Sequence, residues 1–326
     1  MPELPRTHEM NAGVALAVWA ALLVTGVLLG LRMGFGGWRF ACAMGVCGIL
    51  LAGYLLAAAP RMQERLLARL GTRGGALTVL LPLGAYAMYS LGVAEDWKFA
   101  LLGAAYVLIP TLLLTAVPAG NRSSLLEYAA VLLIGLPVVV RWMYRLFPYP
   151  PPMTHTFTIL LAVNAGLAAF IFARRLPGIG YAIEWRSGFA RAAGVNLLLF
   201  TVIAIPLGEA IGFIHWEPSL ERLRSVPLMA VGILFFTAWP EEFLFRGLLQ
   251  NLLARTFRNQ WAGLAGAAVV FGFSHILHAP FPNWKYVILA TIAGIFYGLA
   301  WMKTGSLVPG AIVHGCVDVL WHVLFR

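Results

Sequence analysis

Residues 239–247 read WPEEFLFRG and lie inside an apolar stretch that runs over 226–254. A charged side chain at the centre of a membrane helix costs about 2.5–3.5 kcal/mol on insertion scales, so two acids and an arginine here need a physical account. Glu242 and Arg246 are four residues apart with the acid first, which is the favourable order for an ion pair on one helical face. Glu241 points about 100° away and lacks that partner, as expected of a carboxyl group that transfers protons.

Pro240 stands directly before the two acids. Proline has no backbone N–H, so it leaves the carbonyl near Phe236 without its helical donor and is expected to kink the helix. Such a break can open a wet pocket inside the membrane.

The whole chain has the composition of a membrane protein. Of its 326 residues, 61% are apolar and 11% are charged, and the mean hydropathy is +0.84. These values exclude a water-soluble globular protein. The sequence predicts an all-α polytopic integral membrane protein, because about eleven apolar blocks are long enough to cross a bilayer as helices. The blocks are 11–31, 40–59, 75–93, 99–117, 125–147, 155–173, 192–213, 226–254, 261–281, 286–302 and 307–325.

Basic residues outnumber acidic ones by 23 to 13, which gives a net charge of +10. The arginines lie in short loops between apolar blocks, a pattern typical of membrane topology, so we expect no nucleic-acid partner. Alternating assignment of the loops places thirteen basic residues on one side and nine on the other. This bias predicts a multi-pass protein of the cell (inner) membrane with a cytoplasmic N-terminus.

The loop around residues 174–191 divides the chain into two parts. Acids and histidines are almost absent from the spans before this loop, and they collect in the spans after it. We therefore predict N-terminal transmembrane helices of unknown role over 1–190 and a core that carries the chemistry over 191–326.

Two later blocks carry further polar residues. Phe271 precedes His275 by one helical turn in the ninth block, and His314 and Asp318 share one helical face in the eleventh. At about 1.5 Å per residue, Glu241 and these three polar groups fall about 16–22 Å from the helix ends predicted to face the cytoplasm. The four groups are therefore expected to meet in one layer of the membrane.

Simpler explanations exist for each group taken alone. A buried Glu–Arg pair can lock neighbouring helices together, and a lone membrane histidine more often packs or bonds between helices than reacts. The same cluster could also relay protons or bind an ion in a transporter. An inactive scaffold that holds a partner protein is a further alternative. Three clusters in one predicted layer favour a functional site.

The ordered set of motifs resembles the CAAX prenyl endopeptidase and bacteriocin-processing family, also called Abi or type II CAAX proteases. The resemblance covers about residues 190–326, and Phe296-Tyr297-Gly298 looks like a weaker family feature. The motifs are Glu241-Glu242-x-x-x-Arg246, Phe271-x-x-x-His275 and His314-x-x-x-Asp318.

The resemblance implies an intramembrane peptidase of the glutamic type that needs no obligatory metal. In such an enzyme, Glu241 and His275 activate water. His314 and the residue at position 318 stabilise the oxyanion. The supporting residues implied by the motifs are Glu242, Arg246 and Phe271.

One residue departs from the family pattern. Family members often have Asn where this chain has Asp318, and an ionised aspartate cannot donate a hydrogen bond to an oxyanion. Two alternatives follow from the residue itself. Either Asp318 is protonated in a desolvated site, or it orients His314.

Amide hydrolysis needs a base for water, donors for the oxyanion and an acid for the leaving amine. One carboxylate and two imidazoles can fill these roles without a cofactor. A zinc-dependent peptidase is the nearest alternative, because two acids and two histidines also form an acceptable zinc set by type. The chain has no HExxH motif to support it.

A covalent mechanism is disfavoured by the same helical geometry. Ser274 and Cys316 adjoin His275 and His314 in sequence but are expected to point elsewhere on their helices.

The expected partners are the lipid bilayer and a membrane-anchored peptide or protein as substrate.

Overall fold

The computed structural model describes residues 8–94, 96–117 and 123–325. Arg6, Arg122 and Arg326, which entered the orientation count, lie outside these residues, and the cytoplasmic N-terminus stays a prediction. The helices are α1 Ala12–Arg32, α2 Gly37–Ala58, α3 Pro60–Gly74, α4 Leu80–Tyr89, α5 Trp97–Thr115, α6 Leu125–Val139, α7 Thr154–Gly166, α8 Phe189–Ala210, α9 Leu220–Arg224, α10 Val226–Ile233, α11 Trp239–Glu242, α12 Asn251–Phe257, α13 Gln260–Phe273, α14 Trp284–Thr304 and α15 Leu307–Leu324.

Shorter helical turns connect several of these elements. The 3₁₀ turns are Gly75–Val79, Trp142–Leu146 and Pro151–Met153, and the π-helical turns are Ser90–Ala94, Leu167–Ala173, Leu234–Ala238 and Phe243–Gln250. The strands β1 (His8–Glu9) and β2 (Glu184–Trp185) pair antiparallel and form the one sheet in the part of the chain described. Each strand of this sheet has only two residues, and the other regular elements are helical. The predicted all-α polytopic class is therefore confirmed.

Nine helical segments within the described ranges are long and apolar enough to cross a membrane. They are Ala12–Arg32, Gly37–Ala58, Gly75–Ala94, Trp97–Thr115, Pro151–Ala173, Phe189–Ala210, Val226–Phe257, Trp284–Thr304 and Leu307–Leu324. Two shorter apolar helices, α6 and α13, occupy the remaining predicted blocks. Each of the eleven blocks therefore contains a helix, and nine of these helices have the full length.

The two short helices end before the ends of the blocks predicted for them. The block 125–147 is helical only to Val139, because Arg141 adopts a left-handed conformation with φ 57° and begins a 3₁₀ turn. The block 261–281 is helical only to Phe273, and turns replace the helix before the prolines at 280 and 282. Hydrophobicity correctly predicted that these blocks contain helices. The left-handed Arg141 and the turns before the prolines at 280 and 282 mark where the helices end.

The segment Val226–Phe257, here called the central span, lies between two apolar clusters. Trp239 and Phe243 belong to a large cluster built mainly from the N-terminal helices, whereas Phe245 belongs to a smaller cluster with Phe271. A side-chain bond reinforces the first contact, since the Tyr54 hydroxyl donates to the Phe235 carbonyl at 3.0 Å. The central span is therefore a wall shared by both parts of the molecule.

The loop that precedes α8 is packed into this wall. Tyr181 is buried, its hydroxyl donates to the Tyr54 carbonyl at 3.2 Å, and its ring lies 5.5 Å from Trp239 and 5.0 Å from Phe243. The division at residue 190 stays a prediction. In the structure, the loop before it binds the two parts of the chain together.

Candidate active site

The centre of the site is a buried ion pair on the central span. Arg246 Nη1 lies 2.9 Å from Glu242 Oε1, and the two side chains are 1% and 0% exposed. The spacing of four residues had predicted this contact. Arg246 is held in turn by Phe271, whose ring centroid lies 4.5 Å from the guanidinium carbon, and by the Gly294 carbonyl at 3.2 Å. A guanidinium over an aromatic face is stabilised by the ring quadrupole, so Phe271 supports the pair.

His314 on α15 is anchored by the same carboxylate. Its Nδ1 lies 3.0 Å from Glu242 Oε1, the same oxygen that forms the ion pair with Arg246. Because a carboxylate paired with arginine acts only as an acceptor, Nδ1 must carry a proton. The Tyr297 ring stacks on the imidazole at 4.6 Å and 17°. Pairing and stacking together fix the direction of Nε2.

The free edge of His314 faces two further acids. Its Nε2 lies 3.8 Å from Glu241 Oε2 and 3.7 Å from Asp318 Oδ2. These separations exceed a direct hydrogen bond and suit an intervening water or substrate oxygen. The side chains of Glu241 and Asp318 are 29% and 24% exposed, whereas His314 is 4% exposed. The two acids therefore border open space while the imidazole is embedded.

His275 approaches from the turn that follows α13. The sequence had placed it on a helix, and the structure places it two residues beyond the helix end, with its N–H bonded to the Gly272 carbonyl at 3.0 Å. Its Nδ1 lies 2.8 Å from the Phe271 carbonyl. A carbonyl only accepts, so Nδ1 carries the proton and the lone pair is on Nε2. This tautomer is the one a general base needs.

Ser274 corrects one expectation. It was predicted to point away from His275, but its Oγ lies 3.2 Å from His275 Nδ1. The same hydroxyl donates to the Phe271 carbonyl at 2.7 Å. Since His275 Nδ1 donates to that carbonyl as well, it has no lone pair with which to take a proton from Ser274. The contact therefore does not activate the hydroxyl as a nucleophile.

One cavity of about 400 Å³, here called the polar cavity, brings the predicted catalytic residues together. Glu241, His275, His314 and Asp318 all line it. On the same wall it adds His278, Tyr286 and His322, and the N-terminal helices supply Arg141, Tyr144 and His155. A smaller cavity of about 90 Å³ adjoins His275, His314 and Asp318 and is lined mostly by apolar and aromatic side chains.

Sequence reasoning missed the N-terminal contribution to this cavity. His155 Nε2 lies 3.2 Å from the Phe236 carbonyl, and its Nδ1 lies 3.1 Å from the Tyr144 hydroxyl. The carbonyl requires a proton on Nε2, so Tyr144 donates to Nδ1. This carbonyl is the one that Pro240 was predicted to release. The signal was present, because His155 is the one histidine in the N-terminal apolar blocks.

Tyr286 is a second residue that sequence reasoning did not single out. Its ring lies 4.5 Å from that of His275 and 5.1 Å from that of His278. Trp321 packs against its other side at 5.2 Å. Tyr286 therefore positions the two histidines. A tyrosine in an apolar block carries no signal that distinguishes this contact from ordinary packing.

A metal centre would draw on the acids and histidines of the polar cavity. Within the ranges that the structure describes, no three His, Cys, Asp or Glu side chains are arranged to hold a metal ion. The zinc set allowed by residue type, Glu241, His275, His314 and Asp318, shares the cavity without that arrangement.

Comparison with known proteins adds one finding. Residues 223–320 match the model of the family described as Type II CAAX prenyl endopeptidase Rce1-like. The match confirms the resemblance stated from the motifs, and it contains every predicted site residue. No curated protein and no solved structure matches the chain. Residues 1–222 lie outside the matched segment.

Proposed function

We propose that this protein is an intramembrane endopeptidase that hydrolyses a peptide bond of a membrane-associated protein or peptide. One observation carries the proposal. Glu241, His275, His314 and Asp318 come from three separate helical regions and line a single polar cavity. The match of residues 223–320 to an endopeptidase family supports peptide hydrolysis over the transport and scaffold alternatives.

Water activation is assigned to Glu241 with His275. Glu241 Oε2 is buried and has no hydrogen-bond partner among the described residues, so it is free to accept from a water molecule. His275 Nε2 has its lone pair available, because Nδ1 is bonded to the Phe271 carbonyl. In the proposed step, Glu241 takes a proton from water held between the two groups, and the oxygen attacks the scissile carbonyl carbon.

Oxyanion stabilisation is assigned to His314. Its Nδ1–H is held by Glu242, so an imidazolium at this position presents Nε2–H towards the cavity. The carboxylates of Glu242 and Asp318 stabilise its positive charge, and Asp318 lies on the Nε2 side. Here Asp318 orients the donor and does not itself donate. The tetrahedral intermediate forms with its negative oxygen at His314 Nε2.

Bond cleavage completes the cycle without a cofactor. Glu241, now protonated, delivers the water-derived proton to the leaving amine as the carbon–nitrogen bond breaks. The products are a new carboxylic acid and a new amine, the acid passes its remaining proton to the amine, and Glu241 returns to its ionised form. This is a glutamic-type, metal-independent mechanism. The zinc-dependent alternative would use the same residues as ligands.

The test compares the full chain with Glu241→Gln and His275→Ala in membranes of the host. Mass spectrometry of protein termini should show uncleaved substrates accumulating in both variants, with cleavage reduced by about three orders of magnitude or more. Membrane insertion should be unchanged. Glu221→Gln is the matched control, because Glu221 lies on the exposed helix α9 and should leave the termini as in the wild type. Identical termini in wild type and Glu241→Gln would contradict peptidase activity.

A further inference from the structure

We propose that Arg141 forms a substrate-positioning subsite that binds a carboxylate group of the substrate. The inference rests on the proposed function, because it assigns a substrate contact to the N-terminal wall of the polar cavity. Arg141 lies in the part of the chain outside the matched family segment. The subsite would therefore be a contribution of this chain's own N-terminal helices.

The register of α6 along the central span sets the depth of Arg141. The Tyr128 hydroxyl lies 2.6 Å from Thr256 Oγ1, and a Cβ added at Gly135 would lie 3.0 Å from Leu244 Cδ2. The two segments therefore run antiparallel. Six residues beyond Gly135, at about 1.5 Å each, bring Arg141 to within about one to two helical turns of Glu241.

Arg141 lines the polar cavity directly beyond the early end of α6. The helix stops at Val139, and Arg141 adopts φ 57° with its N–H bonded to the Val138 carbonyl at 2.9 Å. A left-handed conformation is uncommon for a residue with a side chain. Met143 and Leu146 in the following 3₁₀ turn are fully buried and hold the turn in place. Arg141 is thus presented from an anchored segment.

The chemistry of the cavity wall calls for an anion at Arg141. No acid in the described ranges forms an ion pair with Arg141, and the acids of the cavity, Glu241 and Asp318, lie against His314. The N-terminal wall contributes Arg141, Tyr144 and His155, and none of these is acidic. A guanidinium binds a carboxylate through two parallel hydrogen bonds in a planar geometry that suits both groups.

The uneven charge of the cavity would orient a bound peptide. A carboxylate at Arg141 directs one end of the peptide to the N-terminal wall and leaves its backbone amides towards Glu241 and His275. The carboxylate can be the terminal group of the substrate or an acidic side chain near the scissile bond. Both sources share one chemistry, and the experiment separates them.

Three lipidated fluorogenic peptides of one sequence serve as probes with the purified full chain. The first ends in a free carboxylate, the second in a carboxamide, and the third in a carboxamide with an added aspartate. Arg141→Gln should raise KM about tenfold to a hundredfold for the peptide whose carboxylate is bound, while kcat changes less than about twofold. The carboxamide peptide should show the same KM in both proteins. Arg141→Lys should fall between, since it keeps the charge and loses the bidentate geometry.

Arg145→Gln is the matched control. Arg145 lies on the 3₁₀ turn that follows Arg141, is exposed as Arg141 is, and is not among the described residues that line the polar cavity. It should leave every KM unchanged. An equal rise of KM in Arg145→Gln would overturn the assignment, because it would reflect surface charge or damage to the turn. An equal KM for all three peptides in the wild type would overturn it as well.

A binding assay separates this proposal from the peptidase proposal. Fluorescence anisotropy of the three peptides is measured with Glu241→Gln and with the double variant that adds Arg141→Gln. Carboxylate-dependent binding that the double variant loses supports the subsite even when the wild type cleaves no peptide, which would contradict the peptidase alone. Cleavage that is independent of Arg141 contradicts the subsite alone. Absence of carboxylate-dependent binding overturns the subsite whatever the cleavage result.

Discussion

Two buried glutamate–arginine pairs lie in different regions of this molecule. Glu127 on α6 meets Arg174 Nε at 2.8 Å, and Glu242 on the central span meets Arg246 Nη1 at 2.9 Å. Both glutamates are fully buried, and the two pairs have similar N–O distances. Burial and pairing alone therefore do not distinguish a structural pair from a catalytic one.

The remaining contacts of the two carboxylates make the difference. Glu127 uses its second oxygen to accept from the Ser124 N–H at 2.7 Å in a capping box at the start of α6, so both oxygens are satisfied. Glu242 shares Oε1 between Arg246 and His314, and within the described residues its Oε2 has no hydrogen-bond partner. A pair tied to an imidazole beside the polar cavity is consistent with the proposed catalytic role, and a pair tied to a helix cap indicates a structural role.

Between the two pairs, the largest combined effect on stability and activity is expected at Glu242. Glu242→Gln leaves Arg246 buried without its counter-charge and releases His314, so it should cost about 3–5 kcal/mol of stability. Activity per folded molecule should fall by a further tenfold to a hundredfold, roughly, because the imidazole loses its orientation. Thermal unfolding and peptide cleavage measure the two effects on one sample. Full activity in the folded fraction would show that Glu242 has only a structural role, like Glu127.

Glu127→Gln should affect stability without affecting catalysis. It removes the charge that pairs with Arg174, and a comparable loss of about 3–5 kcal/mol is expected from the buried cation left behind. The folded fraction should cleave substrate at the wild-type rate, since Glu127 is not among the described residues that line the polar cavity. The measurements are those made for Glu242→Gln. A fall in the rate per folded molecule would show that the comparison between the pairs is wrong.

Asp318→Asn should have a moderate effect on activity. The amide keeps the shape of the side chain and loses the negative charge 3.7 Å from His314 Nε2. It gains an N–H that can donate to the oxyanion, so cleavage should stay within about tenfold of the wild type. Asp318→Leu, which can do neither, should lose much more. Equal losses in the two variants would mean that the charge of Asp318 is what matters.

Chelation should have the smallest effect. If the acids of the cavity move protons, exhaustive treatment with a chelator should leave cleavage by the purified protein unchanged. Loss of activity that zinc restores would instead make Glu241 and its neighbours metal ligands. The metal content of the purified protein is the control for incomplete removal.

Local spacing was enough to predict much of the site. The interval between Glu242 and Arg246 predicted their ion pair, and the one between His314 and Asp318 predicted their shared face. These predictions succeeded because side chains four residues apart meet on any helix, whatever surrounds it. The all-α membrane class followed equally directly from apolar blocks of bilayer length.

The positions that depend on tertiary contacts could not be predicted from local spacing. His275 lies past the end of its helix, and Arg141 lies past the end of α6, because turns replace the helix in both places. The contact of His155 with the Phe236 carbonyl joins residues 81 positions apart. Nothing local in the sequence encodes such a meeting, since it depends on how α7 packs against the central span.

The shared wall formed by the central span has a consequence for protein engineering. Trp239 and Phe243 are covered by N-terminal side chains, and Glu241 stands between them in the chain. A fragment beginning at residue 191 would strip that cover and offer bare aromatic rings to lipid, with the Phe236 carbonyl deprived of His155. Trimming the chain to residues 191–326 is therefore expected to disrupt the polar cavity. The N-terminal part has to be present, either in the same polypeptide or as a coexpressed fragment.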